Sequence, residues 1–188
     1  MTLFTTAYFP SISYMARFLQ EDAPVVEVWE TYCKQTYRNR CRVMTANGVE
    51  SMTVPVVKVN GNHTMTRDIL VSTHAPWQHI HSRCLESAYK AAPYFEHYYD
   101  YLRPIFEGHF ERLIDLNDAA LKAVLKMLKV NKEIEHILKW VIDDFESKRG
   151  HIALEDDEQT GYRDTQTEKD LAKASRNHPV SDMLFHLK

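Results

Sequence analysis

A group of cationic and polar residues lies between Glu30 and Glu50, where the chain carries no acidic residue. The members singled out as candidates for ligand binding are Lys34, Tyr37, Arg38, Asn39 and Arg40. Arginine offers carboxylate or phosphate a planar fork for two hydrogen bonds, whereas lysine offers a compact charge. The segment follows a predicted strand and precedes a predicted hairpin, and connecting loops commonly carry function. It therefore predicts an anion site, with a solvated charged loop as the alternative.

Aromatic residues stand where a predicted first strand gives way to a helix, in the segment Tyr8-Phe9-Pro10 and at Tyr14. A helix N-terminus presents free N–H groups and partial positive charge to an anion. We expect Tyr8, Phe9 and Tyr14 to form a wall against a base or sugar, the alternative being an aromatic core plug. The segment has no glycine-rich phosphate motif, which excludes a P-loop or a standard dinucleotide turn.

A third candidate set follows Trp77, which we expect to stack on ligand as well. If a helix begins near Ser82, Glu86 and Tyr89 share one face of it. His81 then precedes the helix, where the helix dipole disfavours the protonated imidazole and leaves a neutral base. The spacing predicts His81 as a general base, with Glu86 or Tyr89 orienting it. The alternative is a structural histidine.

No metal site is expected. Four potential ligands lie close together, at His74, His79, His81 and Cys84, but they lack the second ligand pair of a zinc site. A GxSxG nucleophile motif is also absent from the sequence. The sequence leaves the cofactor unspecified.

Composition sets the broad class. The chain has 188 residues, 44% hydrophobic and 26% charged, with a net charge of −3. These values predict a globular domain and argue against a nucleic-acid binder with a basic face. The three cysteines, Cys33, Cys41 and Cys84, have no CxxC spacing and predict reduced thiols. Neither a signal peptide nor an apolar run of roughly 20 residues is visible, so we expect a cytoplasmic protein without a membrane span.

The elements that position these residues begin with a βαβ unit. Leu3 to Phe9 and Val25 to Tyr32 are β-prone, and between them an apolar stripe from Ile12 to Leu19 predicts an amphipathic helix. Asn47-Gly48 and Asn60-Gly61 each predict a β-hairpin turn.

From Trp77 onward the apolar period is helical, with a break at Pro93. We predict a helix over 116–130 capped by Asn117, and another over 134–145 that Gly150 ends. The fold class is therefore α/β: a small mixed sheet followed by a helical C-terminal half. Residues 1–150 form one domain, residues 151–179 a mobile polar loop, and residues 180–188 a segment that docks back on the domain.

The chain resembles the WbqC-like family in four segments: AYFPSISY, ETYCKQTYRNRCRV, TVPV after the first Asn-Gly pair, and WQHIHSRCLESAYKAAPYFEHY. The resemblance covers about Thr5 to Leu128. On this match Tyr8, Phe9 and Pro10 fall on the opening motif. The central motif takes Lys34, Arg38, Asn39 and Arg40, and the tryptophan-histidine helix takes Trp77, His81, Ala88 and Tyr89. Thr6-Ala7 stand where many relatives carry glutamine, and residues 150–179 diverge.

The resemblance implies a bacterial cytoplasmic protein associated with O-antigen and other surface polysaccharides. We expect a transferase acting on a nucleotide-linked or phosphorylated sugar. The alternative is a non-catalytic protein that binds an anionic ligand, such as a nucleotide sugar or an acyl or aminoacyl donor, or a partner. The oligomeric state is left open. In α/β sheets ligands gather where strands end, so the three motifs are expected to meet in one concave site.

Overall fold

A computed structural model describes residues 2–137. Strand β1 (Leu3–Thr5) leads through helix α1 (Ile12–Gln20) to strand β2 (Val25–Glu27), and the two strands pair in parallel. This confirms the predicted βαβ unit, although both strands are shorter than the β-prone runs. Ser11 caps α1 by accepting a hydrogen bond from the Tyr14 amide, and Phe18 on its inner face packs against Phe4 of β1.

Two hairpins follow. Strands β3 (Arg40–Thr45) and β4 (Gly48–Thr53) pair antiparallel around Asn47-Gly48, where Gly48 has a φ of 110°. The first predicted hairpin is therefore confirmed, because this turn needs a residue that tolerates positive φ.

Strands β5 (Val56–Val57) and β6 (Leu70–Val71) also pair antiparallel. This pairing confirms the second predicted hairpin, but its connection is longer than an Asn-Gly turn, since residues 58–69 link the two strands and contain two 3₁₀ turns. The buried Thr64 hydroxyl fixes the first of these turns, because it donates to the Gly61 carbonyl and accepts from the Asn60 amide.

Three helices form the C-terminal part of the described chain: α2 (Trp77–Tyr89), α3 (Phe95–Glu107) and α4 (Leu113–Met127). They confirm the mixed α/β class with a helical second half, and the break between α2 and α3 falls at Pro93 as predicted. The predicted start of α2 near Ser82 is wrong. The Pro76 carbonyl already accepts the amide of Ile80, so the helix begins at Trp77 and contains His81.

Helix α4 also starts earlier than predicted, and Asn117 lies inside it rather than capping it. Its buried side chain donates to the Thr6 hydroxyl at 3.0 Å and to the Arg38 carbonyl at 2.8 Å. Asn117 thereby ties α4 to the end of β1 and to the basic segment.

The predicted helix over 134–145 is wrong at its start. Glu135–His136 form strand β7, which pairs in parallel with β2 and completes a sheet of order β1-β2-β7. The apolar side chain of Ile137 is buried at its end, and the Ile137 amide bonds to the Val26 carbonyl. The rest of that helix, the boundary at Gly150, the polar loop 151–179 and the segment 180–188 lie outside the described residues. Within residues 2–137, no helix is long and apolar enough to cross a membrane.

Replacing Asn117 by alanine removes both of its donated hydrogen bonds and leaves the buried Arg38 carbonyl without that donor. We expect the free energy of unfolding to fall by about 2 kcal/mol. Urea denaturation with an unchanged m-value would measure it. The control is Asn131→Ala at an exposed position after α4. Equal stability of the two variants would contradict the proposed tie.

Candidate functional site

The three motifs predicted from the sequence lie in contact with one another. The Tyr8 hydroxyl is 3.0 Å from His81 Nδ1 on α2. The Tyr8 amide donates to the Tyr37 carbonyl of the basic segment at 2.9 Å. Tyr8 is therefore the junction between the opening motif, the basic segment and the tryptophan-histidine helix.

This junction is part of the hydrophobic core. Tyr8 is completely buried, and Phe9 and Trp77 are each 6% exposed. Tyr8 meets Trp77 edge-on, and Phe9 packs against Phe106 of α3. The half-buried Tyr14 donates to the Thr5 carbonyl. The Tyr14 ring packs against Phe4 and Phe18. All four rings thus have partners within the protein, so stacking of Tyr8, Phe9, Tyr14 or Trp77 on a ligand stays a prediction.

His81 is 4% exposed and has partners for its ring. Tyr8 bonds Nδ1, and the ring also makes a hydrogen bond to the Thr53 backbone. Burial lowers the pKa of His81 to about 4, which the bond to Thr53 only partly opposes. The imidazole is neutral as expected, but the cause is burial within α2 and not the dipole of a helix that starts behind it.

The other two residues assigned to catalysis also have structural partners. Glu86 accepts hydrogen bonds from the Ser82 and Tyr99 hydroxyls. Tyr89 is 5% exposed beside the Met44 backbone, and burial raises its pKa, which Met44 partly opposes. A catalytic role for His81, Glu86 or Tyr89 stays a prediction.

The basic segment divides into a buried part and an exposed part. Arg38 is 3% exposed, and its Nε and Nη2 atoms each lie 2.7 Å from a Glu30 carboxylate oxygen. The neighbouring Asn39 pairs with Val54 in both directions, because its Nδ2 donates to the Val54 carbonyl and its own carbonyl accepts the Val54 amide. These two contacts fix the backbone next to the half-buried Arg40.

Arg40 and Lys34 line a groove of about 650 Å³ beside the segment. Its described lining consists of Tyr32, Lys34, Gln35, Asn39, Arg40, Thr53, Val56, Val57 and Lys58. Gln35 has a φ of 61°, and its carbonyl accepts a hydrogen bond from Arg40 Nη2. This bond holds the arginine at the groove, and within residues 2–137 no other hydrogen bond of its guanidinium is formed.

Sequence reasoning missed Tyr32 and Lys58. Tyr32 closes a β-prone run two residues before Lys34, and Lys58 follows the apolar strand β5, so only the fold brings them together. The Lys58 ammonium lies 5.4 Å from the centre of the Tyr32 ring. Burial raises the pKa of Tyr32 to about 12, despite the opposing charge of Arg38, so its hydroxyl keeps its proton at neutral pH.

The positive charge of its lining determines which ligands this groove favours. Its described lining includes three cations, Lys34, Arg40 and Lys58, and no carboxylate. We refer to it below as the cationic groove. Such a lining favours an anionic group and offers an arginine fork together with two lysine charges. Among residues 2–137, no group of three or more His, Cys, Asp or Glu side chains is placed to hold a metal ion.

The burial of neutral His81 predicts a pH-dependent stability. The pKa is about 4 in the fold against an ordinary 6.5, so between these values the unfolded chain binds the proton more strongly. The stability gained from neutral His81 is complete above pH 6.5 and is lost as the pH falls toward 4. Between pH 7 and pH 5 we expect His81 to account for a loss of about 2 kcal/mol in the free energy of unfolding.

Urea denaturation of wild type and His81→Gln at pH 7 and pH 5 measures this contribution. The variant is expected to be less stable at pH 7 and to show a smaller decrease at pH 5. The exposed His79 on the same helix supplies the control, as His79→Gln is expected to keep the wild-type pH dependence. A full pH dependence in His81→Gln would contradict the assignment to His81.

Comparisons with known proteins agree with the resemblance in the sequence. The chain is 29% identical over 143 residues to the uncharacterized protein Rv1507c of Mycobacterium tuberculosis. The match covers 76% of this chain but only 59% of that relative's length. No solved structure matches the chain. The model of the WbqC-like protein family matches residues 6–174, a range that contains the aromatic junction and the whole cationic groove. The chain belongs to the WbqC-like protein family.

Proposed function

We propose that the protein binds a phosphorylated or nucleotide-linked sugar in the cationic groove and acts in the cytoplasmic synthesis of surface-polysaccharide precursors. The observation that carries this proposal is the convergence of Lys34, Arg40 and Lys58 on one groove. Membership of the WbqC-like family supports it through the resemblance, which implies O-antigen and surface polysaccharides. The three unpaired cysteines fit a reducing compartment.

The binding step assigns different roles to the basic residues. Arg40 is half-buried and anchored to the Gln35 carbonyl, so it presents its remaining N–H groups in a fixed orientation. Lys34 is exposed and brings a mobile charge to the rim of the groove. Arg38 holds the loop through Glu30, and in this proposal it supports the site from below.

Two forms of this function are distinct: a transferase, and a protein that binds the sugar without turning it over. The described lining of the groove favours binding without turnover, because it holds no carboxylate and no imidazole. His81 is in the core with its ring hydrogen-bonded to Tyr8 and Thr53. Transfer through the described residues would have to use Lys34, Lys58 or the Tyr32 hydroxyl as acid or base.

Removing either Lys34 or Arg40 should weaken binding of the anion. We expect Lys34→Ala and Arg40→Ala each to raise the Kd for UDP-glucose or glucose 1-phosphate about tenfold, since a charge-assisted contact is lost. Calorimetry at fixed ionic strength measures the Kd, and wild-type melting temperatures would show that both variants are folded.

The control is Lys90→Ala, which removes an exposed lysine at the end of α2, outside the groove lining. It should bind like wild type. Unchanged affinity of both groove variants for the sugar phosphate or nucleotide sugar would contradict the proposed site.

A thermal-shift panel of nucleotide sugars, sugar phosphates, acyl-CoA thioesters and aminoacyl donors chooses the ligand for a turnover assay. Transfer of the sugar, acyl or aminoacyl group from a stabilising ligand to an acceptor identifies a transferase. Stabilisation without product in the presence of sugar acceptors supports the binding form.

A further inference from the structure

We propose that the cationic groove recognises the hydroxyl groups of a sugar phosphate as well as its phosphate, and that the described groove provides no subsite for a nucleoside. The inference rests on the proposed function and narrows its ligand from two classes to one. It depends on two buried polar atoms of the groove lining, Asn39 Oδ1 and the Tyr32 hydroxyl.

The side-chain amide of Asn39 has a fixed orientation. Its Nδ2 donates to the Val54 carbonyl at 2.9 Å, so the nitrogen side faces the residue that follows β4. Its Oδ1 has no hydrogen-bond partner among residues 2–137, although Asn39 is only 7% exposed. Buried polar groups are normally hydrogen-bonded, so this acceptor calls for a donor. Phosphate oxygens are acceptors and do not satisfy it, whereas a sugar hydroxyl does.

The Tyr32 hydroxyl is a second buried polar group of the groove lining without a hydrogen-bond partner among the described residues. Tyr32 itself is 3% exposed. A protonated phenol both donates and accepts, as does a sugar hydroxyl. Asn39 and Tyr32 therefore offer two hydrogen-bonding groups to a polyol in a groove whose cations suit phosphate.

Both atoms are covered in this structure, so binding requires a groove side chain to move. Lys58 is the side chain that lies over the Tyr32 ring. Its flexible four-carbon stem allows the ammonium to leave the ring for a phosphate, where the charge–charge attraction exceeds that to the ring. Phosphate binding would then uncover Tyr32 for the sugar.

A nucleobase lacks a stacking surface in this groove. The rings of Tyr8, Phe9 and Trp77 pack in the core, and in this proposal the sugar occupies the side of Tyr32 that Lys58 uncovers. Tyr37 is 38% exposed on the basic segment but is not part of the groove lining. The base would therefore add no ring contact to the affinity gained from the sugar phosphate.

Three probes test the proposal by calorimetry on the full chain: methyl phosphate, ribose 5-phosphate and uridine monophosphate. Two added hydrogen bonds predict that ribose 5-phosphate binds about tenfold or more tightly than methyl phosphate. Uridine monophosphate, in which the base replaces the anomeric hydroxyl of the same sugar phosphate, should bind within about twofold of ribose 5-phosphate.

Tyr32→Phe keeps the ring and removes the hydroxyl. It should lower the affinity for ribose 5-phosphate about fivefold and leave that for methyl phosphate unchanged, since one hydrogen bond to the sugar is lost. Tyr101→Phe, at an exposed tyrosine of α3, is the matched control and should change neither affinity. If Tyr32→Phe does not fold, the affinities of the wild-type protein for methyl phosphate and ribose 5-phosphate still test hydroxyl recognition.

The outcomes separate this inference from the proposed function. Equal binding of methyl phosphate and ribose 5-phosphate would overturn hydroxyl recognition while the anion site stands. Tenfold tighter binding of uridine monophosphate than of ribose 5-phosphate would overturn the exclusion of a nucleoside. Failure of all three probes to bind would overturn both the inference and the proposed function.

Discussion

The ion pair between Arg38 and Glu30 is the constraint on which the basic segment depends. The arginine is 3% exposed and meets both carboxylate oxygens at 2.7 Å, so its charge is neutralised by a bidentate partner. A buried guanidinium without a partner is strongly destabilising, so the pair with Glu30 stabilises the segment in the observed arrangement. The Tyr37 and Arg38 carbonyls on either side accept from Tyr8 and Asn117 and extend this constraint to β1 and α4.

The residues that looked most reactive in the sequence provide hydrogen bonds to buried groups of the fold. Tyr8 needs partners for its hydroxyl and its amide, and it finds them in His81 and Tyr37. Burial in the packed core favours the neutral imidazole of His81, and the pKa of this residue is therefore low. The meeting of the three motifs is therefore explained by folding alone, and the case for ligand binding depends on the residues that point away from this junction.

The sequence was informative wherever local chemistry decides the conformation. Asn47-Gly48 had to form a turn because the pair tolerates positive φ, and Pro93 had to separate two helices. Predictions from the sequence were wrong where a tertiary contact determined the conformation. Asn117 looks like a helix cap, yet Thr6 and Arg38 draw it into the core. Ile134 to Ile137 has helical spacing, but β2 offers an unpaired edge and binds it as a strand.

In the candidate site, too, some residues could be predicted from the sequence and others could not. Lys34 and Arg40 could be found because cations without acids stand out in the sequence, whereas Tyr32 and Lys58 depend on long-range folding to reach the same groove. Charge alone could not separate Arg38 from Arg40, only two residues apart.

The separation comes from the partners that the fold supplies to each arginine. Arg38 lies in the segment that accepts hydrogen bonds from Tyr8 and Asn117, where its side chain is buried and paired with Glu30. Arg40 begins β3, whose alternation buries Cys41 and Val43 and leaves Arg40 and Arg42 on the opposite face. Its neighbour across the hairpin is Thr53 of the groove lining. The same residue type therefore stabilises the loop at one position and lines the cationic groove at the other, because the strand begins between them.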